Sequence, residues 1–243
     1  MSRTLLSLLA ASAVFVPAIL IADGEGLARQ LTLGLLTAAM VWLVARRAAI
    51  DTKQILVAIA VATTGEVILS VGLELYDYRF ATIPFYVPPG HGLFYALAAA
   101  TARERWLQAR GKAIVRGVLL VGSATAIAGL TAAGDAWGAL WWIVAAVLIG
   151  RSRNGLLLSV CCSYTMILEW LGTSMGNWVW APEVLGLRSG NPPSGVGILY
   201  VVLDLVTVAI CGTLAGKSST PAPTADPCVV DGGAPSLASE PLA

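Results

Sequence analysis

The sequence predicts an all-α protein that crosses a membrane several times, and three observations carry that prediction. The 243 residues are 57% hydrophobic and only 12% charged, about half the charge of an ordinary soluble domain. The mean hydropathy is +0.80, and apolar runs recur that reach or approach the roughly 20 residues needed to cross a bilayer. Lys and Arg are also spread unevenly between alternate loops, as the positive-inside rule requires of a multi-pass chain.

Eight spans follow from the apolar runs, at roughly 4–22, 29–45, 54–74, 88–103, 114–132, 136–150, 155–176 and 194–215. The first is too long for the apolar region of a signal peptide, and Ile21-Ala22-Asp23 is a poor cleavage site, so it counts as a span. With the N-terminus inside, twelve of the fifteen Lys and Arg lie on the inner side: Arg3, Arg46, Arg47, Lys53, Arg103, Arg105, Arg110, Lys112, Arg116, Arg151, Arg153 and Lys217. Arg29, Arg79 and Arg188 are left outside. This places both termini in the cytoplasm of a bacterial-type plasma membrane and puts the loops 75–89 and 177–193 on the outer face.

Those two loops belong to stretches that resemble one another. Glu66–Tyr95 holds a carboxylate in an apolar run, then Tyr76 and Tyr78, then Pro88-Pro89-Gly90-His91. Glu169–Tyr200 holds a carboxylate, then Trp178 and Trp180, then Asn191-Pro192-Pro193. The glutamate precedes the first residue of the aromatic pair by ten residues in one and nine in the other, and the first residue of the Pro-Pro pair by twenty-two and twenty-three. This implies an internal duplication: 1–110 and 111–215 are two four-helix repeats of the same orientation, a parallel repeat about an axis along the membrane normal. Residues 216–243, rich in Pro, Ala, Ser and Gly, read as a disordered cytoplasmic tail.

The candidate chemistry lies in the two stretches. Glu66 is about eight residues from the outer end of its span, about 12 Å deep at 1.5 Å per residue; Glu169 is at a matching depth, and Asp204 lies near mid-membrane. No Lys or Arg falls at equal depth, so each carboxylate must be protonated, hydrogen-bonded by Tyr, Trp, Ser or Thr, or wet. Burial favours the neutral form, which suits a general acid, although a neutral interhelical hydrogen-bond clamp remains the plain alternative. His91 is the one histidine; it opens the fourth span, with Tyr95 one turn on along the same face. It is the candidate base or hydrogen-bond partner, absent from the second copy. Tyr76, Tyr78, Trp178 and Trp180 either form an interfacial belt or, because alternate residues of an extended loop share a face, pack their rings over an apolar chain. Tyr95, Asn191 and Tyr200 complete the candidate substrate contacts. Gly172 and Gly176 read as a close helix-packing pair, and Asp77 with Arg79 as a solvated pair. One histidine with carboxylates on separate spans is no metal signature, the four cysteines form no framework, no cofactor is indicated, and the net charge of +1 argues against nucleic acid.

The patterns E-x(9)-Y-x-Y with Pro84 following, and E-W-L-G-T-x-x-G-N-W-x-W with a later N-P-P, resemble the polytopic carotenoid-biosynthesis membrane proteins of the carotenoid hydratase type. The matching positions are Glu66, Tyr76, Tyr78 and Pro84, then Glu169, Gly172, Gly176, Trp178 and Trp180, over two stretches of about thirty residues. Trp stands in place of Tyr in the second, and the Pro-Pro and the duplication depart from the pattern. The resemblance implies an isoprenoid-type lipid substrate and acid-catalysed addition of water to a double bond. Expected partners are therefore the bilayer and a hydrophobic small molecule. A transporter using Glu66, Glu169 and Asp204 as proton or cation carriers, or a structural membrane subunit, remains the alternative.

Overall fold

The computed structural model describes residues 1–218, with side chains described as far as 212. Helices occupy α1 Arg3–Ala22, α2 Leu27–Ala48, α3 Thr52–Glu66, α4 Val87–Ala102, the short α5 Arg105–Ala109, α6 Gly111–Ala128, α7 Ala136–Arg151, α8 Gly155–Ser174 and α9 Gly197–Ser218. Single π-helical segments, Val67–Gly72 and Gly129–Ala133, prolong α3 and α6. Arg3–Ala22, Leu27–Ala48, Thr52–Gly72, Gly111–Ala133 and Gly155–Ser174 are long and apolar enough to cross a membrane. Ala136–Arg151 and Gly197–Gly212 are apolar but shorter. α9 runs on past the predicted start of the tail, and 219–243 lie outside the described residues.

Local chemistry explains where the helices start and stop. The Ser2 hydroxyl accepts from the Leu5 amide, the Asp51 carboxylate from Lys53 and Asp135 from Gly138, each satisfying an amide that has no helical partner. Pro88 and Pro89 stand in the first turn of α4, where no amide is needed. Gly176, at φ +68°, ends α8, and the amide of Asn177 closes back onto the Gly172 carbonyl at 2.9 Å.

The all-helical expectation needs one addition. Both marked loops contain extended segments: β1 Tyr76–Tyr78 pairs antiparallel with β2 Trp178–Trp180, and β3 Glu183–Val184 forms a tight hairpin with β4 Leu187–Arg188. At the hairpin tip Leu185 (φ 52°) and Gly186 (φ 78°) both adopt the positive φ that a two-residue turn of this hand requires.

Four helices make the centre. α3 packs against α4 and α9, α4 also packs against α2 and α8, and α8 packs against α9 and α6. In a lipid-facing bundle, apolar burial supplies little drive, so close approach of the backbones matters most. The contact faces are accordingly small: Ala58 and Ala62 on α3, Ala96 and Ala98 on α4, all nearly or fully buried. Arg46, Arg47, Lys53, Arg103, Arg105, Arg110, Lys112, Arg151 and Arg153 flank the helix ends opposite the strands, the basic end; Arg29, Arg79 and Arg188 lie at the strand end.

Candidate functional site

The site is built around the β1–β2 ladder. Tyr76 stands opposite Trp180, Asp77 opposite Val179 and Tyr78 opposite Trp178. The ladder continues at both ends, where Ala181 N donates to Leu75 O and Arg79 N to Asn177 O, each at 2.9 Å. In both strands the outer two residues are buried and the middle one exposed, as the period of two demands. All four rings therefore point inward. Tyr76 lies 4.6 Å from Trp180 and Tyr78 6.2 Å from Trp178, centroid to centroid.

Beneath the ladder sit the two glutamates. Glu66, the last residue of α3, is buried; its Oε2 accepts from the Tyr76 hydroxyl at 2.8 Å and the Tyr78 hydroxyl at 2.7 Å. Its Oε1 shares a 2.9 Å hydrogen bond with His91 Nε2 on α4. Glu169 on α8 is equally buried, and its Oε2 accepts from the indole N–H groups of Trp178, at 2.9 Å, and Trp180, at 3.0 Å. Among the described residues nothing donates to its Oε1. Each strand thus supplies two donors to the carboxylate that precedes it in sequence. The imidazole of His91 stacks on the ring of Tyr200, 5.0 Å away.

These groups line a single large cavity of about 770 Å³, within the range of sites that enclose a drug-sized ligand. Its polar wall is Glu66, His91, Glu169, Tyr76, Tyr78 and Tyr200; most of the remainder is apolar, from Phe15 and Ile19 on α1 to Leu199 and Leu203 on α9. Seven residues both line the cavity and lie on the molecular surface: Ile68, Leu73 and Glu74 beside the end of α3, Val202 and Val206 on α9, and Glu183 and Leu185 in the hairpin. The cavity therefore opens sideways between the end of α3 and α9, onto a flank that is apolar except for Glu74 and Glu183.

Several sequence expectations need correction. Tyr95 does not reach the cavity; it packs in the core formed by α2, α3 and α4, because the turn of α4 that carries it lies below the cavity floor. Asp204 is fully buried and also away from the cavity wall. Asn191 is not on the cavity wall; its Oδ1 accepts from Trp180 N at 3.0 Å, the bond to its own loop backbone that a turn residue of this kind makes. The Gly172/Gly176 pair serves the turn after α8: a Cβ on Gly172 would lie 2.0 Å from the Trp178 ring, so only glycine leaves that ring its seat. Arg79 is no solvated partner of Asp77; its guanidinium bonds the carbonyls of Met175 and Gly176 across the ladder.

Other residues that hold the site carried no sequence signal. Asn177, fully buried, donates to Leu20 O at 2.9 Å and to Asp23, tying β2 to the end of α1. Asp135 accepts from the amides of Gly138, Gly190 and Ser194, anchoring the Pro192-Pro193 loop. Burial by itself raises its pKa, but these donors outweigh it and hold the carboxyl below its ordinary value. In the first stretch Gln30 does the equivalent work, accepting from Phe85 N and donating to Asp23. Such anchors are read only once distant loops are seen together. Trp137 and Trp141 join the cavity wall as well. Among the described residues no three His, Cys, Asp or Glu side chains are grouped to hold a metal.

No protein-family model matches this chain, and neither the curated proteins nor the solved structures offer a match.

Proposed function

We propose that this chain is a multi-pass membrane enzyme, with about eight spans in two parallel four-helix repeats, that acts on a lipidic, isoprenoid-type substrate by carboxylate proton transfer. The observation that carries this is the pair of buried glutamates under one aromatic ladder, both on the wall of an apolar cavity that opens sideways. The antiparallel register of Tyr76–Tyr78 on Trp178–Trp180 supports the duplication, since a two-fold axis through the ladder exchanges each strand and its glutamate.

The surroundings of the two glutamates favour different roles for them. Both oxygens of Glu66 are engaged, Oε2 by two phenol donors and Oε1 by the His91 ring nitrogen. Glu169 has Oε2 fixed by two indoles and Oε1 unengaged. Protonated Glu169 is thus the acid: its O–H bond breaks as the π electrons of a substrate double bond take the proton. The resulting cation faces Tyr76 and Trp180, whose ring faces stabilise positive charge. The Glu66–His91 pair then removes a proton, from an incoming water or from the carbon beside the cation. A carboxylate acid of this kind contributes about 10²–10⁴-fold. An apolar substrate needs no aqueous entrance, which suits the flank opening.

The test replaces Glu169 and Glu66 with Gln in the intact chain and follows cellular lipids by mass spectrometry. An enzyme leaves its isoprenoid precursor unconverted in both variants. Loss of ion or solute flux with unchanged lipids would instead establish a carrier, and wild-type behaviour in both assays would leave the carboxylates structural.

A further inference from the structure

Below the cavity the structure leaves a second group of polar side chains. Asp204 and Thr207 on α9 and Thr165 on α8 are fully buried. Neither oxygen of Asp204, nor the hydroxyl of Thr207 or Thr165, nor Nδ1 of His91 has a hydrogen-bond partner among the described residues. They form stripes at helical spacing: Tyr200, Asp204 and Thr207 on α9; Glu169, Thr165 and Cys161 on α8; His91 and Tyr95 on α4. α8 packs against both α4 and α9, so the three stripes converge. The Cys161 thiol has the Asp204 carboxyl and Thr165 as neighbours, and Asp204 also lies within electrostatic reach of His91. Tyr95 packs in one core cluster with Leu203, the residue before Asp204, and Arg103, at the end of the same helix α4, bonds the Ala49 carbonyl at the basic end. Among the described residues no Lys or Arg forms an ion pair with Asp204.

We propose that Asp204 is a proton relay between the basic end of the bundle and the carboxylate site. A buried carboxyl with two unengaged hydroxyls offers the two to four polar partners that hold an internal water, and an intramembrane carboxyl without a cationic partner marks a proton path. The step balances on each ring nitrogen. The proton that Glu66 has taken leaves its Oε1 for His91 Nε2, and the proton on His91 Nδ1 passes, through water held by Thr165 and Thr207, to Asp204. Asp204 then releases it toward the basic end past Tyr95, and Glu66 is a carboxylate again. The relay rests on Glu66 and Glu169 being proton-transfer groups, yet its test needs no substrate, so the two can fail separately.

His91 is the one histidine in the chain, so ¹⁵N-histidine labelling reports a single ring. The full-length protein in lipid nanodiscs is transferred to D₂O and the exchange of the ring N–H is followed by NMR. Asp204→Asn, which keeps shape and hydrogen-bonding capacity, slows exchange about tenfold, equivalent to about 1.4 kcal/mol on the barrier. Thr207→Val slows it in the same direction and keeps the test decisive should Asp204→Asn fail to fold. A rate equal to or faster than wild type in the folded variants overturns the relay.

Discussion

Glu66 and Glu169 each accept two hydrogen bonds from the strand that follows them, but from donors of different chemistry. Phenol hydroxyls and an imidazole both give and receive protons; an indole N–H only donates. Glu66 therefore sits in a network through which a proton can pass. Glu169 sits in a rigid cradle that fixes one oxygen and leaves the other facing the cavity. The lesson is that two similar stretches of chain give their carboxylates different surroundings by changing donors rather than backbone. The same contrast runs through the loops, where one Asp anchors the second Pro-Pro segment directly and Gln30 bridges the first.

The contrast is broken most strongly at the carboxylates. On the proposed function, Glu169→Gln lowers conversion of a lipid substrate by about 10²-fold or more, and Glu66→Gln is similarly damaging but retains binding, since Gln still accepts from Tyr76; a lipid-binding assay beside the conversion assay separates the two. Next in size is stability. Glu66→Ala strands Tyr76, Tyr78 and His91, each at a cost of about 1–3 kcal/mol, whereas Glu169→Ala strands only two indoles. Thermal unfolding in detergent therefore ranks Glu66→Ala as the more destabilised.

Smaller effects sharpen the comparison of the loops. Gly172→Val forces the Trp178 ring from its seat and costs about 1–3 kcal/mol, read as lost Trp fluorescence burial together with a lower unfolding midpoint. Asp135, held below its ordinary pKa by three amides, contributes stability that is present above the unfolded value of about 3.9. That stability is lost as pH falls through the lower folded value. The wild-type midpoint drops in that acid window, and Asp135→Asn removes the dependence. Leu185→Ser, at a hairpin tip that is 89% exposed, leaves stability within about 0.5 kcal/mol, and any loss of lipid uptake it causes reports on the cavity mouth alone.

Much of this was legible in the chain, and the limit follows from the range of the forces. Apolar runs, capping residues and the prolines of α4 act over a few neighbours, so helix positions could be read directly, as could the sharing of one face by Tyr76 and Tyr78 or by Trp178 and Trp180. The carboxylates in apolar runs announced that they needed donors, because lipid offers none. Which donors they found was decided by tertiary structure. The pairing of 76–78 with 178–180, the reach of Arg79 to the end of α8, the three amides on Asp135 and the seat of Trp178 on Gly172 all join segments far apart in sequence or related by a turn whose geometry no spacing rule contains. Tyr95 and Asn191 failed as cavity residues for the same reason: position along a helix or loop sets a face, but only the packing of neighbouring helices decides what that face meets. The sequence by itself determined that buried carboxylates and aromatic pairs would recur; the packing of α3, α4, α8 and α9 decided that they meet around one cavity, because each glutamate is held by its own strand and the two strands pair into one ladder.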